Sequence, residues 1–178
     1  MGTGLFIIDA IIIAIVILPF ALFINGSKKR ERQLRKALQS EATKHNCNLS
    51  KLEVHSNFAI GLDPNEKKLV FYKKAEKGAY TTLVDLKTVA ACKALKINKQ
   101  VKNKTKHYEV IDKLKLSFIH HNKNKVTDLE LYNNDDTMTL NNEILLSQKW
   151  EDEVNTLLKT MREIQPAEKQ EQLRVAIS

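Results

Sequence analysis

The residues best equipped for chemistry in this chain are scattered along it. Its five histidines do not cluster. His120 and His121 stand side by side near the end of an alternating apolar run, so their side chains point to opposite faces of a strand. A metal site needs further ligands at set spacing, and no metal is expected. Cys47 and Cys92 offer neither a disulfide framework nor a zinc pattern, and both read as ordinary reduced thiols. Ser117 has no base near it in sequence. Asp135 and Asp136 sit among turn residues and read as solvated loop. There is no GxSxG, no phosphate loop, no GxGxxG and no HExxH. Nothing supplies a nucleophile, a base or a cofactor cradle, so the chain reads as a non-enzymatic protein without cofactor.

The charged residues carry more information. Lys93, Lys96, Lys99, Lys102, Lys104 and Lys106 crowd one polar stretch, in a chain with formal net charge +8 and pI near 9.4. If Val89–Ile97 pairs with Tyr108–Ile119, these lysines gather at one hairpin tip. Such a tip suits an anionic lipid surface, where each basic residue contributes about 1 kcal/mol, or it serves solubility alone. Nucleic acid is argued against: the stretch holds no arginine, and no aromatic interleaves with the lysines to stack on bases.

A second basic group, Lys28, Lys29, Arg30, Arg32, Arg35 and Lys36, follows an apolar run. From Leu5 to Ile24 the chain reads LFIIDAIIIAIVILPFALFI, of which fifteen residues are Leu, Ile, Val or Phe. As a helix the run measures about 30 Å, the thickness of a hydrocarbon core. Insertion is favourable by about 5 to 9 kcal/mol, against about 3 kcal/mol for Asp9 were it at the centre. Pro19 predicts a kink. These residues imply a single membrane-spanning anchor. The basic group behind it implies an outside N-terminus, an inner-membrane location and a cytoplasmic C-terminal domain, with the bilayer as a partner.

The elements that must position these groups follow from periodicity. Ser27 to His45 reads as a helical stalk capped by Ser27, with a thin stripe of Leu34, Ala37, Leu38 and Ala42. That stripe suits docking on the domain or on a second copy. From Leu52 the period becomes two. Strands are predicted at Phe58–Leu62, Leu69–Tyr72, Tyr80–Leu86, Val89–Ile97, Tyr108–Ile119, Val126–Leu131 and Thr137–Leu140. Turn residues separate them, with Asn98–His107 as a polar connection. The recurrence of turns with no long helix between argues an antiparallel meander. Trp150, Val154, Leu157, Leu158, Met161 and Ile164 then form one helical stripe, which Pro166 ends. The organisation predicted is an anchor (1–26), a basic stalk (27–50), one domain (51–165) and a charged tail (166–178).

Three stretches resemble bacterial pleckstrin-homology-like domains. FAIGLDPNEKKLVFY resembles their opening hairpin, TTLVDLKTVAACKAL the next strand, bend and strand, and LELYNND with QKWEDEVNTLL their last strands and Trp-led helix. The resemblance spans Leu52 to Ile164. It implies an α+β fold: an antiparallel, roughly seven-stranded sheet or barrel closed by one amphipathic C-terminal helix, here hung from one transmembrane helix. It also implies a binding or scaffold module whose partner is another protein or a second copy, engaged at a sheet edge or beside the C-terminal helix. Lipid-binding members place Lys and Arg between their first two strands. Here DPNEKK sets Lys67 and Lys68 against Asp63 and Glu66, so phosphoinositide headgroup binding is not implied.

Overall fold

The computed structural model describes residues 3–75, 78–103, 106–122, 124–136 and 139–175; the side chains of residues 3–11, 14, 18, 20–25, 102, 103, 106, 107 and 165–175 are outside that description. A helix, α1 (Thr3–Lys44), leads into four strands: β1 (Lys51–His55), β2 (Phe58–Asp63), β3 (Lys68–Ala75) and β4 (Gly78–Asp85). A short 3-10 turn, Leu86–Thr88, then precedes β5 (Val89–Asn103), β6 (Lys106–His120), β7 (Val126–Asn133) and the closing helix α2 (Glu143–Val175). The strands form two antiparallel sheets, β1-β2-β3-β4 and β5-β6-β7.

Several expectations are corrected here. Among the described residues, no helix is long and apolar enough to cross a membrane. The single-pass anchor over Leu5–Ile24, the outside N-terminus and the inner-membrane location built on it are therefore withdrawn. Nor is the stretch a separate element: α1 runs unbroken through Pro19 and past Ser27, which caps nothing. The sheets do not close into a barrel; they remain two open layers with separate pairing. Thr139 and Leu140 are not in a strand, and Thr137 and Met138 lie outside the described residues. α2 continues beyond Pro166 to Val175.

The second half of α1 belongs to the domain. Leu34, Leu38 and Ala42 are buried against Ala59 and Val70, with Leu49, Leu52, Val54 and Tyr72 around them. The helix ends where Asn46 takes a left-handed backbone (φ 53°) and the Cys47 N–H returns 2.9 Å to the Ala42 carbonyl, satisfying a terminal acceptor. Because α1 covers one face and the main core the other, β2 is buried throughout rather than half-buried. Gly61 is the consequence: a Cβ there would stand 2.7 Å from Leu49 Cδ1 and 3.2 Å from Leu38 Cδ2.

The main core lies between the two sheets and α2. Phe58, Ile60, Leu69, Phe71, Leu114, Leu116, Phe118 and Leu129 meet Trp150, Val154 and Leu158, with Leu157 and Met161 packed at its margin. Fully burying a large apolar side chain contributes about 1.5–3 kcal/mol, so this set dominates the stability of the domain. Asp63 ties the β2–β3 turn to the end of α1. Its carboxylate accepts from the N–H groups of Asn65 (2.9 Å), Glu66 (3.0 Å) and Asn48 (2.6 Å).

Candidate interaction surface

Three polar seams hold the layers in place. Along β1, every second residue faces α2. Lys51 Nζ stands 2.7 Å from Glu153 Oε1, as an ion pair without hydrogen-bond alignment. Glu53 pairs with Lys149 and accepts from Trp150 Nε1 at 3.3 Å. His55 Nε2 lies 3.3 Å from buried Glu143 and against the Asn141 carbonyl. Between the sheets, Lys73 of β3 is only 1% exposed. Its Nζ stands 2.9 Å from Glu130 Oε1 on β7 and 3.6 Å from Asp136 Oδ2. Burial alone would raise the Glu130 pKa, but the Lys73 ammonium outweighs it and holds the carboxyl below its ordinary value. Asp136, expected to be solvated loop, is thus part of an inter-sheet ion cluster. Tyr80 borders the cluster, and burial with the charges of Glu130 and Asp136 pushes its hydroxyl up to about 12.

The third seam runs along the free edge of β5. Arg162 donates to the Ala90 carbonyl. Asn155 accepts from Cys92 N–H at 3.0 Å and donates to the Cys92 carbonyl at 2.9 Å. Glu151 accepts from Ala94 N–H at 2.9 Å. Three polar side chains of α2 therefore do for β5 what a neighbouring strand would do. The groove beside the C-terminal helix, where the resemblance implied a peptide, is filled over this stretch by the helix itself.

Groups with chemical potential are otherwise occupied. His120 is buried, with Nδ1 2.9 Å from Thr88 Oγ1 and Nε2 2.9 Å from Thr127 Oγ1; burial, helped by Lys125, lowers its pKa. His121 is exposed. Burial pushes the Cys92 thiol up to about 12 and raises that of Cys47, so neither carries thiolate character. Among the described residues, no group of three or more His, Cys, Asp or Glu is placed to hold a metal ion. Of the residues assigned to the anchor, Pro19 is exposed inside α1, and the side chains of Leu5, Asp9 and Ile24 lie outside the described residues. Lys28, Lys29, Arg30, Arg32, Arg35 and Lys36 are all exposed on α1. This helix packs on β1, β2 and β3, so its basic group and the lysines of β5 belong to different layers.

What remains open is the far half of the β5–β6 pair. The stretch expected to be a polar connection is strand on both sides: Gln100 pairs with Glu109, Val101 with Tyr108 and Lys102 with His107. β7 accompanies β6 only as far as the Lys113–Asn133 pair, so the ribbon continues beyond it with two strands. Lys93, Lys96 and Lys99 are exposed on β5; the side chains of Lys102 and Lys106 and all of Lys104 lie outside the described residues. Leu95, Ile97 and Tyr108 are exposed too, at 43%, 41% and 48%. Strand alternation and the pairing register put Leu95, Ile97 and Lys99 on one face, with Tyr108 reaching the same face through its pair with Val101. The lysines were legible in the sequence. The exposed apolar residues between them were missed, because alternation alone does not say where the core ends.

Comparison with protein-family models, with curated proteins and with solved structures finds no match for this chain.

Proposed function

We propose that this chain is a non-enzymatic binding or scaffold module whose β5–β6 ribbon contacts a protein partner. One observation carries the reading. β5 presents Leu95 and Ile97 beside Lys93 on one exposed face, and the ribbon carries that face past the end of β7 to Lys99 and Tyr108, with Lys96 on the opposite face. Apolar side chains at exposed strand positions cost solubility and contribute nothing to the core, so their grouping marks a contact surface. The surrounding lysines favour an acidic partner.

A second reading rests on the same lysines: an anionic lipid surface, to which basic residues near the headgroups contribute about 1 kcal/mol each. A photo-crosslinking side chain at position 108 of the full chain, in the cells that make it, separates the two. A recurrent protein adduct from position 108, absent from the exposed control position 145, supports the protein reading. Adducts with lipid alone transfer the assignment to the lipid surface. Identical adduct patterns from both positions refute the ribbon as the contact element.

A further inference from the structure

β5 has one edge in two states. Toward its start, the Ala90 carbonyl, both backbone groups of Cys92 and the Ala94 N–H are bonded by Arg162, Asn155 and Glu151 of α2. These positions are spaced by two, as strand alternation requires. The same alternation aims the N–H and C=O groups of Lys96, Asn98 and Gln100 away from β6. Among the described residues, no hydrogen bond reaches them from that side. α2 begins at Glu143, and its last polar reach toward the ribbon is Glu151 on Ala94, so the capped and open stretches adjoin.

We infer that the open stretch from Lys96 to Gln100 accepts an extended acidic segment of a partner protein as an added strand, an inference that rests on the ribbon being the contact element. In strand addition, main-chain bonds supply affinity and alternate side chains supply selection. On one face of this edge, Lys96 favours a carboxylate in the cross-strand position; on the other, Leu95 and Ile97 favour apolar neighbours. The fitting segment therefore alternates acidic and apolar residues. A second copy of the same edge fits worse, because it brings Lys96 and Lys99 against their own counterparts, the device by which edge lysines oppose self-pairing. A lipid headgroup surface offers no row of amides to match the open carbonyls.

The probe is a labelled peptide of about eight alternating valine and glutamate residues, a usual strand length. It is compared with a twin methylated at every amide nitrogen and with vesicles of phosphatidylglycerol and phosphatidylcholine. Anisotropy titrations use the full chain, with the fluorescence of Trp150 as the control for folding. The expected result is peptide binding that weakens about tenfold or more on amide methylation and in Lys96→Glu with Lys99→Glu. Lys96→Pro, which deletes one outward N–H, is expected to weaken binding more than Lys96→Gln, which deletes only the charge. Equal binding of peptide and methylated twin overturns strand addition while leaving the basic ribbon as a contact element. Lysine-dependent binding of vesicles without peptide binding overturns both this inference and the protein reading, as does binding of neither. Self-association of the chain that is lost in Lys96→Pro assigns the edge to a second copy and overturns the acidic partner.

Discussion

Replacing Lys73 with methionine isolates the ion cluster that joins the two sheets. The ammonium is almost wholly withdrawn from water, 2.9 Å from Glu130 and 3.6 Å from Asp136. At an effective dielectric near 20, these contacts correspond to attractions of about 6 and about 5 kcal/mol. Desolvating the ammonium offsets several kcal/mol of that. Removing one partner of a fully buried pair costs about 3–5 kcal/mol, but here the carboxylates keep side-chain exposures of 24% and 21% and regain hydration once the lysine is gone. The expected loss is therefore about 2 kcal/mol at pH 7, or about 4–8 °C in Tm for a chain of this size. The assay is urea unfolding followed by Trp150, the single tryptophan, over a pH series. Glu130 has a folded pKa below its ordinary value. Its contribution is present above the unfolded value, about 4.3, and is lost as pH falls through the lower folded value. The gap between wild type and Lys73→Met must accordingly narrow below about pH 4. Adding Glu130→Gln to Lys73→Met should recover part of the loss, since it removes a carboxylate stranded beside Asp136. A gap that stays constant from neutral to acid pH refutes the assignment of this stability to the ion cluster.

Asn155→Ala removes both bonds to Cys92 and is expected to cost about 1–3 kcal/mol, with faster amide exchange at Cys92 as the local signature. Gly61→Ala forces Leu49 aside and crowds the Lys51 carbonyl at 3.2 Å; a loss of about 1–3 kcal/mol is expected, read by urea unfolding and by exchange along the second half of α1. Asp63 is held below its ordinary pKa by three backbone donors that outweigh its burial, so its stabilisation is present above about pH 4 and is lost on acidification through the folded value. Asp63→Asn should flatten that acid limb in unfolding midpoints measured from pH 7 downward. His120 has a folded pKa below its ordinary 6.5, so the neutral ring is the stabilising form. Its contribution is complete above 6.5 and falls as pH drops below it, a slope that His120→Gln should remove when midpoints at neutral and mildly acid pH are compared.

The elements that announced themselves did so through period. FAIGL and LVFY alternate over the main core, and Trp150, Val154 and Leu158 mark the face that α2 buries. Polar residues gave no such signal. Lys51, Glu53 and His55 alternate with Leu52 and Val54, but their partners are charges on α2, so the apolar signal of β1 is only two residues, both turned to α1, too short to mark a strand. Lys73 ends an apolar run and looks like the solvent end of a strand, because its partners Glu130 and Asp136 are remote in sequence. The ribbon was missed for another reason. Lys, Asn and Gln favour strand weakly, and only the ladder of pairs from Asn98–Ile111 to Lys102–His107 makes that segment extended. The apolar run near the N-terminus shows the opposite failure: its composition implied a span, yet among the described residues no helix is long and apolar enough to cross a membrane.

The division of labour along β5 joins these points. An edge strand of 15 residues is a hazard unless it is paired, covered or charged, and this chain applies two of those remedies to one strand. Where β5 lies beside the core, α2 covers it, and Glu151, Asn155 and Arg162 supply four of the bonds a neighbouring strand would make. Beyond Ala94 that cover ends, and Lys96 and Lys99 stand exposed. A purely defensive edge has no use for Leu95, Ile97 and Tyr108 at the surface, since polar residues there would repel self-pairing as well and dissolve better. Their presence beside backbone groups that no described residue bonds is what the proposed partner strand would use.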